Sequence, residues 1–179
     1  MINPRPEFHI APALLDDLDA IDRIEQEAFN TPWSRELLRA AIVNDAYRVR
    51  ALCTDSDGVL GFSIAHEVRD RSNLDNLAVE RATRSRGYGS HLIRDWLDDA
   101  GRHGLEVLSL QVNTANIRAQ KLYEEFHFKT TKLLVAYYPN GQDAYQMERA
   151  IAAPAPLGRA PGSRRYWLPA RRGGWPDGR

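Results

Sequence analysis

Between Arg84 and Ser90 the chain reads Arg-Ser-Arg-Gly-Tyr-Gly-Ser. Glycines here let backbone N–H groups approach a ligand closely, and a helix starting just beyond them adds the positive end of its dipole. Arg81, Arg84 and Arg86 bring charge that pairs with phosphates, so the segment suits a pyrophosphate. It is neither the G-x-G-x-x-G of dinucleotide folds nor a P-loop, which ends in G-K-[ST]. Further on, Asn116, Ala119 and Tyr123 fall at i, i+3 and i+7 and share one helix face, with the small Ala119 leaving room for a ligand between an amide and a phenol. Leu122 and Phe126 fall on a different face, toward a core. Each residue also has a plain structural reading, Asn116 as an N-cap and Tyr123 as an amphipathic core residue with a wet hydroxyl. His9, His66, His91, His103 and His127 show no ligand spacing with carboxylates or with Cys53, so metal catalysis has no support.

These residues need a scaffold, and the pattern supplies one. Leu14, Leu18, Ile21, Ile24 and Ala28 recur at helical spacing and predict a first helix ending near Phe29. Ser34, ahead of Leu37, Leu38, Ala41 and Ile42, predicts a cap and a second short helix. The alternating runs 47–53 and 59–67 flank the turn Asp55-Ser56-Asp57-Gly58 and predict an antiparallel hairpin. A strand is predicted over 73–79, a helix over 90–101, a strand over 107–112, a helix over about 116–126, and strands over 132–138 and 144–150. The order implies an α/β chain with a mixed sheet and helices on both faces.

The length, 179 residues, supports one domain with a sizeable core. Hydrophobic residues at 43% and charged residues at 27% exclude collagen-like repetition, coiled coil and disorder over the whole chain. A single cysteine, no secretory pattern and no apolar run long enough to span a bilayer point to a cytoplasmic protein without a membrane partner. The net charge of zero conceals an asymmetry. Residues 152–179 carry six arginines and one acid, Asp177, a net +5, against −5 for residues 1–151. That segment holds five Pro and five Gly without apolar periodicity, and reads as a flexible basic tail beyond a domain spanning 1–151. Tyr166, Trp167 and Trp175 interleave with the arginines, a composition that stacks on and neutralises RNA or equally serves as a solvated tail.

Taken together, Leu77-Ala78-Val79, the run Arg84 to Ser90, Asn116 and Leu122-Tyr123-Glu124 resemble the acetyl-CoA signature of the GCN5-related N-acetyltransferases, the GNAT superfamily. Ile24-Glu25 to Phe29 with Pro32-Trp33-Ser34, and Tyr137-Tyr138-Pro139 with Asp143-Ala144, resemble its RimI-like branch, which acetylates the N-terminal alanine of a ribosomal protein. The resemblance implies the GNAT fold, with a mostly antiparallel central sheet, and acetyl-CoA as cosubstrate. It implies that backbone at Leu77, Ala78 and Val79 pairs with the pantetheine arm, and that Arg84, Ser85, Arg86, Gly87, Tyr88, Gly89 and Ser90 cradle the pyrophosphate. By the same likeness Asn116 bonds the cofactor, Tyr123 is the acid for the departing thiolate, and a peptide N-terminus enters between the Pro32-Trp33 and Tyr137-Tyr138 loops.

Two positions depart from that pattern. The branch has L-E-V before the Asn helix, its glutamate being the proposed base, whereas this chain has Leu110-Gln111-Val112, and an amide cannot take a proton. His127 stands where the family has a helix-ending glycine. An α-amine costs only about 1 kcal/mol to deprotonate at pH 7, against nearly 5 for a lysine, so an N-terminal substrate needs the base least. Gln111 can hold a water through which the proton leaves. Asp75, placed by a period of two on the face of Leu77 and Val79, is a replacement carboxylate or a solvated one, and Glu67 and His66 are weaker candidates. Three readings follow: a protein N-terminal acetyltransferase, a small-amine acetyltransferase, and a silent acyl-CoA-binding or ribosome-associated module.

Overall fold

The computed structural model describes residues 7–151, so the predicted tail over 152–179 lies outside the described residues. Seven strands form one sheet: β1 (Phe8–Pro12), β2 (Tyr47–Thr54), β3 (Gly58–Val68), β4 (Arg71–Val79), β5 (Val107–Asn113), β6 (Lys129–Leu134) and β7 (Ala144–Ala150). Their order is β1-β2-β3-β4-β5-β7-β6, antiparallel throughout except for the parallel pair β4/β5. The helices are α1 (Leu18–Ala28), α2 (Arg35–Ile42), α3 (Tyr88–Arg102) and α4 (Ile117–Glu125).

The apolar stripes sort these helices onto two faces. Ile21, Ile24, Leu38 and Ala41 of α1 and α2 bury against Val49, Ala51, Phe62, Ile64 and Ala78. On the other face Ile93, Trp96 and Ala100 of α3 meet Leu74, Leu108, Leu110 and Phe128, with Ala119, Leu122, Tyr123 and Phe126 packed beside them. Trp96 stacks on Phe128 at 5.6 Å and donates its indole N–H to Ser72 Oγ at 2.9 Å, which fixes α3 on β4. Ser34 caps α2 as predicted, its hydroxyl accepting from the Leu37 amide.

The differences from the sequence reading have local causes. The first element is a strand, β1, too short to show a period and held at the edge by pairing with β2. β6 occupies 129–134 rather than 132–138, because the chain turns at Ala136, where φ is 51°. α3 begins at Tyr88, two residues before the predicted start, since Gly87 takes φ 89° as its N-cap.

One irregularity reshapes the site. Ala65 pairs with Leu74 and Ile64 with Asn76, leaving Asp75 as an extra residue on β4. Such a bulge resets the alternation of faces. Leu74 therefore faces the α3 core and Leu77 and Val79 face it again, although an uninterrupted strand would put 74 and 77 on opposite sides. Asp75 is thus not on the face of Leu77 and Val79, which corrects the period-two expectation. It lies on the α1 face, beside His66.

Candidate active site

The parallel pairing of β4 with β5 runs only from Arg71/Val107 to Leu74/Leu110. Beyond it the strands diverge, so the β5-facing edge of residues 76–79 has no strand partner while its other edge remains paired to β3. Strand-edge N–H and C=O groups left in this way are available to an extended ligand. A cleft of about 530 Å³ opens there, bounded by Leu77, Ala78 and Val79, by the segment 84–90, and by the start of α4.

The turn into α3 has the form an anion needs. Ser85 and Gly87 both take positive φ, 67° and 89°. None of the amides of residues 85–90 donates to a backbone carbonyl among the described residues, and they gather at the N-terminal end of a 15-residue helix. Arg84 bends back to donate Nε–H to the Val79 carbonyl at 2.9 Å, and Arg118 donates to Ser85 Oγ at 3.2 Å, so the loop is clamped from two sides. An added Cβ at Gly89 would stand 3.4 Å from Leu122, which leaves the cleft floor to bare backbone. This arrangement fits a pyrophosphate followed by an extended amide chain.

Of the residues singled out for the cofactor, Leu77, Ala78, Val79, Arg84, Ser85, Gly87, Tyr88, Gly89, Ser90 and Asn116 all line this cleft and Arg86 does not. The Asn116 side-chain oxygen accepts the Ala119 amide at 3.1 Å and so caps α4. Leu122 lines the cleft too, contrary to its expected face, together with Arg118 and Lys121, which sequence reasoning passed over. Their signal was a basic i, i+3 pair in the turns after Asn116.

Tyr123 lies outside that lining. Its ring packs edge-on against Phe128 at 6.1 Å, and its hydroxyl makes no hydrogen bond among the described residues. Burial first, and then Tyr138, push the phenol pKa well above its usual value, so the group stays protonated.

Gln111 opens instead on a second cavity of about 340 Å³, with His66, Asn73, Asp75, Ser109 and Tyr137. Its amide is held: Nε2 donates to Gln146 at 2.8 Å and to Asn73 Oδ1 at 3.1 Å. Asn73 in turn donates to Asp75 Oδ1 at 2.8 Å, and Asp75 Oδ2 lies 2.7 Å from His66 Nδ1. The carboxylate raises the His66 pKa against the opposing effect of burial. Sequence reasoning ranked His66 low because its position was unknown. The hairpin register, His66 opposite Asn73 across a tight turn, was the signal that places it.

Of the two aromatic loops, Tyr137 lines this cavity and Trp33 does not. Trp33 packs edge-on with Tyr47 at 6.2 Å and against the α1 core, and Tyr137 pairs edge-on with Tyr138 at 5.1 Å while remaining 48% exposed. The Trp33 loop is pinned by Glu25, wholly buried, whose Oε1 accepts the Trp33 amide at 2.8 Å and Asn76 Nδ2 at 2.7 Å. Desolvation raises the Glu25 pKa despite those donors. A trio of Glu67, Asp99 and His103 elsewhere is already neutralised by Arg48 and Arg102.

Comparison with known proteins places this geometry. Residues 18–128 match the model of the Acetyltransferase (GNAT) family. The [ribosomal protein bS18]-alanine N-acetyltransferase of Haemophilus ducreyi is 32% identical over 127 residues, 69% of this chain and 83% of that protein. The crystal structure of the ribosomal-protein-S18-alanine N-acetyltransferase from Escherichia coli superposes with a TM-score of 0.77 at 28% identity, covering 86% of this chain and all of that one. Arabidopsis thaliana NAA60 in complex with acetyl-CoA shares the fold, with a TM-score of 0.75 at 19% identity over 81% of this chain and 100% of that one.

Proposed function

The chain belongs to the Acetyltransferase (GNAT) family, and from that premise we propose that it transfers the acetyl group of acetyl-CoA to the α-amine at a protein N-terminus. The observation that carries this reading is the divergence of β4 from β5 between two cavities. One is lined by bare backbone and a helix N-terminus, the other by polar side chains and an exposed tyrosine. A two-substrate transfer needs such a site, with the donor entering from one side and the amine from the other.

In this mechanism the amides of Ser85 to Ser90, with Arg84 and Arg118, hold the pyrophosphate, while Arg86 lies outside the cleft lining. The free edge of residues 77–79 pairs with the pantetheine amides, and Asn116 orders the start of α4 beside it. A backbone N–H of the same edge, assigned to Val79, stabilises the oxyanion as the amine attacks the thioester carbon. Tyr123 donates a hydrogen bond to the departing thiolate. A phenol whose pKa is raised above that of a thiol, about 8.5, donates this bond without surrendering its proton fully. Gln111 acts through its hydrogen bonds, having no proton-accepting form.

An N-terminal acceptor is favoured by the relatives' names and by the amide at 111, since an α-amine near pKa 8 deprotonates with little help. A ribosomal protein as acceptor, the cytoplasm as location and an RNA contact by the basic tail are finer parts of the proposal. They rest on those names, on the lone Cys53 and on the arginine-aromatic composition of 152–179. Thiol release from acetyl-CoA tests the reading with two peptides, one with a free N-terminal alanine and no lysine, the other N-terminally blocked with a free lysine. Release with the first alone is expected. Release only with free small amines would replace the reading by a small-amine acetyltransferase.

A further inference from the structure

We propose that His66, oriented by Asp75, is the general base that takes the proton from the attacking amine. This rests on the acetyltransferase reading and supplies the group that Gln111 cannot. The polar wall of the second cavity is a chain of hydrogen bonds that runs Gln146, Gln111, Asn73, Asp75, His66. Each member but the last has its acceptors engaged: Asn73 Oδ1 takes Ser109 and Gln111, and the two carboxylate oxygens of Asp75 take Asn73 and His66.

His66 is where the chain ends. Its Nδ1 is bound to the carboxylate, which fixes the tautomer with the proton on Nδ1 and leaves a lone pair on Nε2. Nε2 makes no hydrogen bond among the described residues, and the ring lines the same cavity as Gln111 and Tyr137. The β4 bulge is what makes the pair. As the extra residue Asp75 stays on the His66 face, whereas alternation counted back from Leu77 and Val79 would turn it toward α3. Asp75 stays a positioning residue, because both of its oxygens are occupied.

The step balances simply. The amine lone pair forms the C–N bond at the thioester carbon while the carbonyl π pair moves to oxygen. One proton of the newly formed ammonium nitrogen passes to Nε2, directly or across one water. The oxyanion re-forms C=O and the C–S bond breaks. The thiolate leaves against the Tyr123 hydroxyl and takes up a proton that His66 returns through solvent.

Several groups face the imidazole. Tyr47 of β2 lies at 6.0 Å between ring centroids, Asn73 and Asp75 come from β4, and Ser109 and Gln111 from β5. Arg71, at the start of β4, is paired with Glu148, and Tyr137 closes the rim. Of these only Asp75 is an unneutralised charge, and it raises the His66 pKa, so the neutral base accumulates at a pH above the usual 6.5 of histidine.

The test measures kcat against pH, at saturating acetyl-CoA, for wild type, His66→Gln, His66→Ala and Asp75→Asn, with an N-terminal-alanine peptide and with spermidine. His66→Gln is expected to lower kcat by about 10²- to 10⁴-fold and to remove the histidine inflection while acetyl-CoA binding is retained. Asp75→Asn is expected to move the inflection down toward 6.5. Added imidazole is expected to restore part of the rate of His66→Ala, a rescue that a purely structural histidine would not give. A His66→Gln enzyme with wild-type kcat and pH profile overturns the assignment and leaves the acetyltransferase reading intact. If wild type acetylates spermidine and not the peptide, the N-terminal reading fails, and the same variants on spermidine decide the base.

Discussion

Replacing Tyr123 by Phe removes one oxygen from a site whose surroundings do not depend on it. The hydroxyl has no hydrogen-bond partner among the described residues, and the edge-on contact with Phe128 belongs to the ring. Folding stability should therefore change by less than about 0.5 kcal/mol. On the proposed role the phenol donates to sulfur as negative charge develops in the transition state, and a hydrogen bond to a charged group contributes about 1.5–3 kcal/mol. At about 1.4 kcal/mol per decade this predicts a fall in kcat of roughly 10- to 150-fold. Because the phenol pKa is pushed far up, Tyr123 adds no falling limb to the wild-type profile at alkaline pH. Thiol release at saturating substrates gives kcat, calorimetry gives acetyl-CoA affinity, and thermal melting checks the fold. An unchanged kcat would refute the role. Weaker acetyl-CoA binding with kcat unchanged would mean that the hydroxyl acts on the ground state alone.

Three further outcomes follow from local conformation and burial. His127 closes α4 with φ 64°, its amide bonded to Glu124 and the Phe128 amide to Tyr123, so His127→Gly should relieve about 1 kcal/mol and raise the melting temperature by about 2–4 °C. Gly87→Ala meets no atom within 4 Å, but φ 89° strains an L residue by about 1–2 kcal/mol; the melting point should fall and acetyl-CoA bind more weakly, with peptide KM little changed. Glu25 holds its proton more tightly folded than unfolded, so it favours the native state at low pH and loses that contribution as pH rises through its elevated pKa. Glu25→Gln should therefore be more stable relative to wild type at pH 7.5 than at pH 5, measured as the difference in melting temperature. A difference independent of pH would mean that the buried carboxyl is not perturbed.

The turn 84–90 and the cleft beside it, which we assign to the donor, were legible in the sequence. Glycines ahead of an amphipathic run, arginines around them, and an amide that caps the next helix are local signals, and local backbone preferences suffice to build a helix N-terminus with open amides. The tertiary structure decided the acceptor side. Where β4 parts from β5, after the pair Leu74/Leu110, is a property of the paired strands, and no residue in either strand announces it. The bulge at Asp75 comes from the register of β3 against β4, a property of the pair rather than of either strand. Counting by twos along β4 alone puts Asp75 on the face of Leu77, and nothing in the sequence fixes where His66 lies. Strand pairing sets register through hydrogen bonds between two segments, so a one-residue offset moves a carboxylate from the face of Leu77 to the side of a histidine.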